Sequence, residues 1–473
     1  PLAFRTVSRP AQDALKPFPQ AMLASERKNR VNTPLKPDEK TTRQKTSSKQ
    51  QAASRRIKSY LHARQHNAAM YSSNPVLQQA SFLRFWLARI LTTMANQMMM
   101  VGVGWQMYDL THSAWDLGLV GLCQFLPALA LTLVVGQVAD RYDRRYILRL
   151  CLLGQAIVVA GLVGGTLTGW INREHLLLAS LTLGATKAFQ MPTQQALAPL
   201  LVPADILPRA LAFNAAGTQF AIIAGPAAGG FVYVAGAHAV YGLCGLLFLG
   251  ALAFLARLHY DHEPTISRQP VSRETLFAGL RFIWQRKPVL GATSLDLFAV
   301  LLGGATALLP IYARDILHTG PWGLGILRAA PAIGAFGMSI WLTHNPIECR
   351  AGKIMFAAVA IYGVATLAFG LSTNFGLSLA MLTISGAADM ISVVVRQSLV
   401  QLETPDEMRG RVSAVNSIFI GASNQLGEFE SGTTAAWLGT VPSVVLGGLG
   451  TLAVVAIWIR LFPQLVQRNR LQP

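Results

Sequence analysis

The sequence predicts an all-α integral membrane protein whose twelve transmembrane helices form two six-helix bundles related by pseudo-symmetry. Three observations support this fold class: the apolar composition, the number and length of the apolar stretches, and a repeat between the two halves. Hydrophobic residues make up 52% of the 473 residues and charged residues only 13%, against roughly 25% charged residues in soluble domains. This composition excludes an ordinary soluble domain, because the excess apolar surface has to face lipid.

Twelve stretches of the chain are long and apolar enough to cross a bilayer as helices. About 20 helical residues span the roughly 30 Å hydrocarbon core, and lipid offers no partner for unpaired backbone groups. The stretches also lack the alternating pattern of barrel strands. The predicted spans, numbered 1 to 12 in chain order, are residues 83–107, 117–138, 146–168, 175–197, 211–234, 239–258, 289–312, 323–343, 353–371, 375–396, 412–435 and 441–462.

The two halves of the sequence share residues at a constant separation of 202 positions. These identities relate spans 4 and 5 to spans 10 and 11, so we expect six helices followed by six more in the same orientation. Parallel repeats of this kind place a substrate site between the halves near the bilayer midplane. The identical pairs are Gln195/Gln397, Leu197/Leu399, Leu200/Leu402, Pro203/Pro405, Arg209/Arg411, Ala212/Ala414, Asn214/Asn416, Gly225/Gly427 and Gly230/Gly432.

Lys and Arg collect in alternate loops, as the positive-inside rule requires. They lie in the loops after spans 2, 6, 8 and 10 and at the carboxyl end. We therefore expect a multi-pass protein of the cell (inner) membrane with both termini in the cytoplasm. Arg173 and Arg314 are exceptions, because they lie in the opposite, outer loops.

A basic tail and a linker accompany the two bundles. Residues 1–69 hold fifteen Lys/Arg and four Asp/Glu, and their polar, charged composition predicts disorder. Two explanations stay open: the native chain starts at Met70, or the tail is a polybasic arm for the membrane surface. Nucleic-acid binding would rest on this tail alone, so no nucleic-acid partner is expected. The expected segments are the tail at 1–79, the N-terminal bundle at 80–258, a cytoplasmic linker at 259–288, the C-terminal bundle at 289–465 and a cytoplasmic tail at 466–473.

The linker between the bundles contains the stretch SRETLFAGLRFIWQRK. Leu276, Leu280, Ile283 and Trp284 recur at helical spacing and form one apolar face. Such a face predicts an amphipathic helix that lies in the membrane interface.

The stretch GQVADRYDRR ends span 2 with a glycine and a dense group of opposite charges. Gly136 allows close approach of a neighbouring helix, and Asp140 suits the partial positive charge of a helix N-terminus. Arg141, Arg144 and Arg145 are able to pair with acids and lipid phosphates. A plain topology signal needs the arginines but neither Gly136 nor Asp140, which favours a conformational latch over a stop-transfer cluster.

These features together resemble the major facilitator superfamily, whose signature after its second helix reads roughly Gly-x-x-x-Asp-Arg-x-Gly-Arg-Arg/Lys. This chain has Asp143 where that signature commonly has glycine. The stretches LLPIYARDIL, LGILRAAPAIGA, PDEMRGRVSAVN and SNQLGEFESG look like the bacterial exporter branch that includes the enterobactin exporter and macrolide efflux proteins. The resemblance covers residues 80–465 and implies the major facilitator fold and transport. It also implies that Asp140 contacts the start of span 11 near Val412.

Span 5 contains GPAAGG, which resembles the motif associated with antiporters among the exporters of this superfamily. Pro226 removes a backbone donor and kinks the helix, while Gly225, Gly229 and Gly230 leave a surface for tight helix packing. Ordinary close packing without a functional meaning stays open as the alternative. A matching surface of small residues is expected on span 8, at Ala329, Ala330, Ala332, Gly334 and Gly337.

Four acidic residues within the predicted spans are candidates for coupling transport to protons. Glu428 corresponds to Pro226 in the repeat, and a charge at membrane depth costs at least ~2.5 kcal/mol, so a functional role is expected. Glu430 lies roughly 200° further round the helix, and we expect a structural role for it. Asp296 and Asp389 are rivals of Glu428 for the same task. The alternative is that both glutamates lie near the interface or pair with other helices.

Several polar residues within the spans are candidates for lining a substrate cavity. Lys187, which is expected to be the lone cation of the first half away from the span ends, is able to pair with an acid or to attract an anionic substrate. Arg396 is expected near the cytoplasmic end of its span. Hydrogen bonding between helices is the alternative for the amides. The candidates are Lys187, Gln190, Asn214, Gln219 and Asn424.

The expected activity is secondary active export of a medium-sized organic compound, such as a siderophore or drug, in exchange for protons. The sequence has no Gly-x-Ser-x-Gly, no Gly-x-x-x-x-Gly-Lys-Ser/Thr and no histidines at metal-ligand spacing. Catalysis, ATP hydrolysis, a metal site and a cofactor are therefore not expected. An importer coupled to proton symport and a membrane-embedded enzyme without transport stay open as alternatives. We expect a monomer whose partners are lipid, protons and a small-molecule substrate.

Overall fold

The computed structural model describes residues 76–259 and 273–468 of the chain. Regular secondary structure in these two ranges is entirely helical. The first six long helices, at spans 1 to 6, are α1 (Ala80–Thr111), α2 (Ala114–Arg141), α3 (Arg144–Thr168), α4 (Arg173–Leu197), α5 (Leu207–Tyr233) and α6 (Ala237–Ala256). The linker helix and the helices at spans 7 to 12 are α7 (Arg273–Gln285), α8 (Lys287–Leu302), α9 (Gly320–His344), α10 (Ala351–Leu371), α11 (Phe375–Glu403), α12 (Asp406–Leu438) and α13 (Thr440–Leu461).

Nine helical spans in the described ranges are long and apolar enough to cross a membrane. The other three, α1, α4 and α12, are 32, 25 and 33 residues long, and about 20 residues suffice. These three helices are more polar than the other nine spans. They carry polar side chains that contact other helices, among them Lys187 on α4 and Glu428 on α12. The predicted all-α membrane fold with twelve spans is confirmed. The expectations for the N-terminal tail, including a start at Met70, and for the chain after residue 468 lie outside the described residues.

Local sequence signals set the ends of several helices. Ser113, Asn172 and Asn374 begin α2, α4 and α11 by accepting a hydrogen bond from a backbone amide of the first turn, which is the usual N-cap arrangement. The turns from α5 to α6 and from α12 to α13 each contain a glycine with positive φ, Gly236 at 105° and Gly439 at 95°. Because only glycine adopts this conformation without strain, the same turn recurs in both halves.

Two helix pairs join the bundles. α5 packs against α1 of its own bundle and α9 of the other, while α12 packs against α8 of its own bundle and α2 of the other. The pairs α5–α9 and α12–α2 are exchanged by the repeat of the sequence, so the pseudo-symmetry is present in the packing. The side at which α2, α4 and α9 begin is the one that the charge pattern predicts to be outer, and it is called the outer side below.

Span 7 is less regular than predicted. α8 ends at Leu302, and Gly303 and Gly304 follow before the chain continues through short turns to a π-helical segment at Tyr312–Ile316. A Cβ atom added at Gly304 would lie 2.8 Å from the backbone of Gly427, so the break lets the chain approach α12 closely. Single π-helical turns recur at functional sites, and this one lies at the outer end of the span.

The helix of span 11 begins earlier than predicted. α12 starts at Asp406 rather than near Val412. Pro405 is not helical, with a ψ of 149°, and the polar residues directly after it already form the first turns of α12. The prediction placed the boundary where the apolar residues begin. Val412 lies inside the helix and is fully buried.

The linker helix α7 packs on α12 with part of its apolar face. Ile283 is 1% exposed and joins Val412 and Val415 in one hydrophobic cluster, whereas Leu280 and Trp284 are exposed. The predicted linker helix is therefore present, part of its apolar face contacts α12, and its position in the membrane interface stays a prediction. The physical reason for the contact lies at Gly279, which has no side chain and lets α7 approach the backbone of α12.

Candidate functional site at the junction of the bundles

Pairs of glycines bring the two bundles together near the outer side. A Cβ atom added at Gly230 of α5 would lie 2.8 Å from the Cα atom of Gly325 on α9. A Cβ atom added at Gly432 of α12 would lie 2.6 Å from the Cα atom of Gly118 on α2. Only glycine permits helices to approach this closely. Gly230 and Gly432 are a pair in the sequence repeat, so the two junctions are built alike.

The rest of the GPAAGG stretch joins α5 to two neighbours. A Cβ atom added at Gly225 would lie 2.7 Å from the Cβ atom of Gln97, and one added at Gly229 would lie 3.0 Å from the Cα atom of Met98, both on α1. The carbonyl oxygen of Pro226 instead faces α9. The glycines predicted for tight packing therefore contact α1 within the bundle as well as α9 across the junction.

The partner surface predicted on span 8 is corrected. The close contact with α5 is made at Gly325, one turn into α9, whereas Gly334 packs against α11 and nothing lies within 4 Å of the Cβ position of Gly337. Composition identifies small residues, but it does not show which turns of two neighbouring helices lie at the same height along the membrane normal and therefore contact each other. That depends on how far each helix is displaced along its axis.

Charged residues join the two bundles at the outer side. The guanidinium of Arg314 lies 2.5 Å from the Oδ1 atom of Asp109, and the hydroxyl of Tyr108 donates a hydrogen bond to Asp315. Tyr108 and Asp109 lie near the end of α1 in the first bundle, and Arg314 and Asp315 lie on the π-helical segment of the second. These four residues are called the outer clasp below.

The two outer arginines that break the charge pattern both form ion pairs. Arg314 belongs to the outer clasp, and the Nε atom of Arg173 lies 2.7 Å from the Oδ1 atom of Asp116 within the first bundle. Each positive charge is thus balanced by an acid on the same side of the protein. The orientation itself stays a prediction, because the rule counts Lys and Arg rather than net charge.

A charge cluster lies at the junction, deep within the membrane-spanning region. The carboxylate of Glu428 on α12 lies 3.9 Å from the guanidinium of Arg328 on α9 and interacts electrostatically with Lys187 on α4. The Nζ atom of Lys187 donates a hydrogen bond of 2.9 Å to Gln124. Gly121 of α2 makes room for the acid, because a Cβ atom there would lie 2.8 Å from the Oε2 atom of Glu428. One carboxylate therefore faces two cations from different bundles.

Arg328 is a candidate functional residue that the sequence analysis missed. It lies within the apolar stretch LGILRAAPAIGA of α9, and its side chain is only 12% exposed. A guanidinium at membrane depth is costly unless a counter-charge is near. The signal in the sequence is a single arginine inside a predicted span, at position 328.

Glu430 is hydrogen-bonded within its own helix. Its Oε1 atom accepts a hydrogen bond of 2.8 Å from Thr434, and its Oε2 atom accepts one of 3.4 Å from Ser431. Glu428 and Glu430 therefore face different neighbours, as two residues separated by roughly 200° on a helix should.

Asp296 and Arg396 form a buried ion pair in the second bundle. The Nη2 atom of Arg396 lies 3.2 Å from the Oδ2 atom of Asp296, and its Nη1 atom donates a hydrogen bond of 3.0 Å to Asn416. Arg396 lies within the last two turns of α11, toward the end expected to be cytoplasmic, but its side chain is 2% exposed. Its partners on α8 and α12 hold it in the interior, and spacing along α11 does not reveal them. Asp389 lies on the same helix and lines a cavity with Asp296.

The amides proposed for a substrate cavity have different surroundings. Gln190 is 5% exposed and donates a hydrogen bond of 2.9 Å to Gln155 within the first bundle, and Asn214 is similarly buried. Gln219 donates a hydrogen bond of 3.3 Å to the backbone of α9 across the junction. Asn424 lines the cavity in the second bundle. Helix contacts thus account for Gln190 and Gln219, and a cavity-lining position for Asn424.

Part of the predicted latch lies outside the described side chains. α2 is helical to Arg141, but the side chains of Gly136, Asp140 and Arg141 are outside the part of the chain that the structure describes. The contact between Asp140 and α12 therefore stays a prediction.

The described part of the latch begins α3. Asp143 caps this helix by accepting a hydrogen bond of 2.9 Å from the backbone amide of Arg145, and its carboxylate lies 2.8 Å from the guanidinium of Arg145. Asp143 stands where the superfamily signature commonly has glycine, and this N-cap gives a reason for the departure. Arg144 donates a hydrogen bond of 3.3 Å to the carbonyl of Ala196 and so connects α3 to α4.

The sequence matches the transmembrane secretion effector family over residues 71–470. The enterobactin exporter EntS of Citrobacter koseri is 26% identical over 407 residues, which cover 83% of this chain and 94% of that protein. EntS of Escherichia coli O1:K1 is 25% identical over 402 residues, with the same coverage of 83% and 94%.

Solved structures of transporters share the fold. The nucleoside transporter NupG superposes with a TM-score of 0.59 at 13% identity, over 81% of this chain and 99% of NupG. A bacterial homolog of the human lysosomal transporter Spinster, in an inward-facing and occupied conformation, gives a TM-score of 0.62 at 14% identity, over 83% and 97%. At these identities the likeness shows the fold alone. With the family match over residues 71–470, the chain belongs to the transmembrane secretion effector family, in the exporter branch of the major facilitator superfamily of transporters.

Proposed function

We propose that this protein is a proton-coupled exporter, an antiporter, of a medium-sized organic compound such as a siderophore or a drug. The relatives named enterobactin exporters support both the direction of transport and this class of substrate. Its proposed location is the inner membrane, with both termini in the cytoplasm as the positions of Lys and Arg indicate. We propose that it acts as a monomer.

The observation that carries the proposal is the charge cluster at the junction. Glu428 lies about 15 Å from the outer end of its helix, between Arg328 of its own bundle and Lys187 of the other. Ionised Glu428 attracts both cations, and protonated Glu428 does not. Proton binding therefore changes the attraction between the bundles, which is the coupling that an antiporter needs. Of the other acids, Glu430 and Asp296 already have close partners.

Rocker-switch alternating access is supported by the contacts at the outer side. The glycine pairs and the outer clasp hold the outer ends of the two bundles together, which corresponds to a substrate entry route from the cytoplasm. Opening to the outside requires these contacts to separate while the cytoplasmic ends come together. We assign the latch of Gly136, Asp140, Arg141, Arg144 and Arg145 to that second state.

Charge reversal in the outer clasp is expected to favour opening of the outer side. Arg314→Asp places two acids against each other, whereas Asp109→Arg/Arg314→Asp restores an opposite pair. Partly exposed ion pairs contribute up to about 1 kcal/mol, so the ratio of outer-open to outer-closed protein should rise ~2–5-fold in the single variant. Spin labels at Leu110→Cys and Trp437→Cys, both exposed positions, would report the distance between the outer ends in a background lacking the native cysteines. A double variant as open as the single one would show that the pair does not hold this side closed.

The direction of flux in inverted membrane vesicles tests the proposed function. An exporter that exchanges substrate for protons should accumulate a macrolide inside vesicles with an acidic interior, and a protonophore should prevent the accumulation. A proton symporter for import would instead carry the compound out of the same vesicles. Equal accumulation with and without the proton gradient would contradict antiport.

A further inference from the structure

A cavity of about 280 Å³ lies inside the second bundle, next to the junction rather than within the Glu428 cluster. It is far larger than the roughly 30 Å³ that one water molecule occupies, and its walls are both apolar and charged. The residues that matter here are Asp296, Thr306, Tyr362, Asp389, Arg396 and Asn424.

The one guanidinium of the cavity is already neutralised. Arg396 is 2% exposed, its Nη2 atom lies 3.2 Å from Asp296, and its Nη1 atom bonds to Asn416 at 3.0 Å. Both terminal nitrogens are thus directed at partners on α8 and α12. Asp389 lies two turns before Arg396, about 10 Å along the axis of α11, and no ion pair joins them.

Asp389 is a second carboxylate without a partner of its own. Among the residues that the structure describes, none donates a hydrogen bond to it and no cation lies within ion-pair distance, although it lines the cavity. It lies near enough to Asp296 for the two acids to repel each other. With both acids ionised, the cavity holds one negative charge in excess, and such a charge at membrane depth needs a counter-charge.

The walls suit an organic cation better than a metal ion. Ca²⁺ and Mg²⁺ require about six oxygen ligands, and no group of three or more acidic, His or Cys residues is found in the described parts of the chain. Tyr362 and Phe369 place aromatic rings in the wall, and aromatic faces attract organic ammonium groups. The volume accommodates such a group together with part of the compound that carries it.

We propose that this cavity is a subsite for a singly charged organic ammonium group of the transported compound, with Asp389 as its counter-ion. The inference rests on the proposed transport function and narrows the substrate class to compounds with a basic amine or quaternary nitrogen. Because Asp296 and Arg396 neutralise each other, the net charge of the empty site is one negative charge, that of Asp389. Tyr362 and Asn424 flank the bound group.

Binding of benzyltrimethylammonium to the purified full-length protein tests the proposal. This probe is permanently charged, so changes in pH do not alter it, and N,N-dimethylbenzamide serves as a neutral compound of similar size. We expect the wild type to bind the cation more tightly than the amide. Asp389→Asn should weaken cation binding at least about tenfold, because loss of one partner of a desolvated charge pair costs that much or more.

Two further variants keep the test decisive. Glu430→Gln removes an acid with partners on its own helix and should leave the dissociation constant within about twofold. Ser385→Leu fills the cavity without changing either acid and should abolish binding, which provides a second test if the Asp389→Asn protein does not fold. Equal affinity for the cation and the amide would overturn the proposal. Unchanged cation binding in Asp389→Asn would also overturn the proposal. This holds even if that variant alters proton uptake, because Asp389 would then act in proton coupling and not as the counter-ion. Neither result bears on the direction of flux, which the vesicle experiment measures separately.

Discussion

Glutamine in place of Glu428 is expected to abolish proton-driven export and to lower accumulation in inverted vesicles at least about tenfold, the change that 1.4 kcal/mol produces. The amide has nearly the shape of the carboxylate but takes up no proton. Arg328 and Lys187 also lose the acid that lies between them, and an uncompensated charge at membrane depth costs ~2.5–3.5 kcal/mol. The measurement is substrate uptake driven by an imposed pH gradient, with the amount of folded protein determined in the same vesicles.

Two variants separate proton coupling from a general defect. Glu428→Asp retains a titratable group and should keep part of the driven uptake. Glu430→Gln changes an acid two positions away whose oxygens are bonded to Ser431 and Thr434, and it should transport nearly as well as the wild type. Driven uptake that survives in Glu428→Gln would assign the coupling to another acid.

A single methyl group at Gly325 is expected to reduce transport at least about tenfold. The Cβ atom of Gly325→Ala would lie 2.5 Å from the carbonyl oxygen of Pro226 and 2.9 Å from the Cα atom of Gly230. Both are backbone atoms, so they cannot rotate away, and α5 and α9 have to separate. Overpacking of this kind costs ~1–3 kcal/mol. The cost destabilises only the outer-closed state, because the two helices are in contact there. We therefore expect a larger outer-open population in the spin-label measurement and slow turnover in vesicles.

Gly337→Ala is the matched control on the same helix. Nothing lies within 4 Å of the Cβ position of Gly337, so the same substitution should leave the junction and the rate of transport unchanged. A gain in helix propensity is common to both variants and cancels in the comparison. Equal rates for the two variants would show that close approach of α5 and α9 is not needed for transport.

Sequence reasoning was most accurate where one chemical pattern sufficed. The spans followed from apolar length, and the similarity of the two halves followed from the repeat, whose members Gly230 and Gly432 occupy equivalent junctions in the structure. It was least accurate where the answer depended on a distant partner. The ion pair of Asp296 and Arg396 joins residues one hundred positions apart, and the contact at Gly325 depends on the relative height of two helices.

The membrane fold, the number of spans and the candidate acids were determined by the sequence by itself, because lipid requires apolar helices of a given length and makes every buried charge conspicuous. Only the tertiary structure decided which charges meet. It joined Glu428 to Arg328 and Lys187, balanced Arg396 with Asp296, and left Asp389 facing a cavity. The reason is that the energy of a charge in a membrane depends on its neighbours within a few ångströms, and helix packing brings those neighbours from distant parts of the chain.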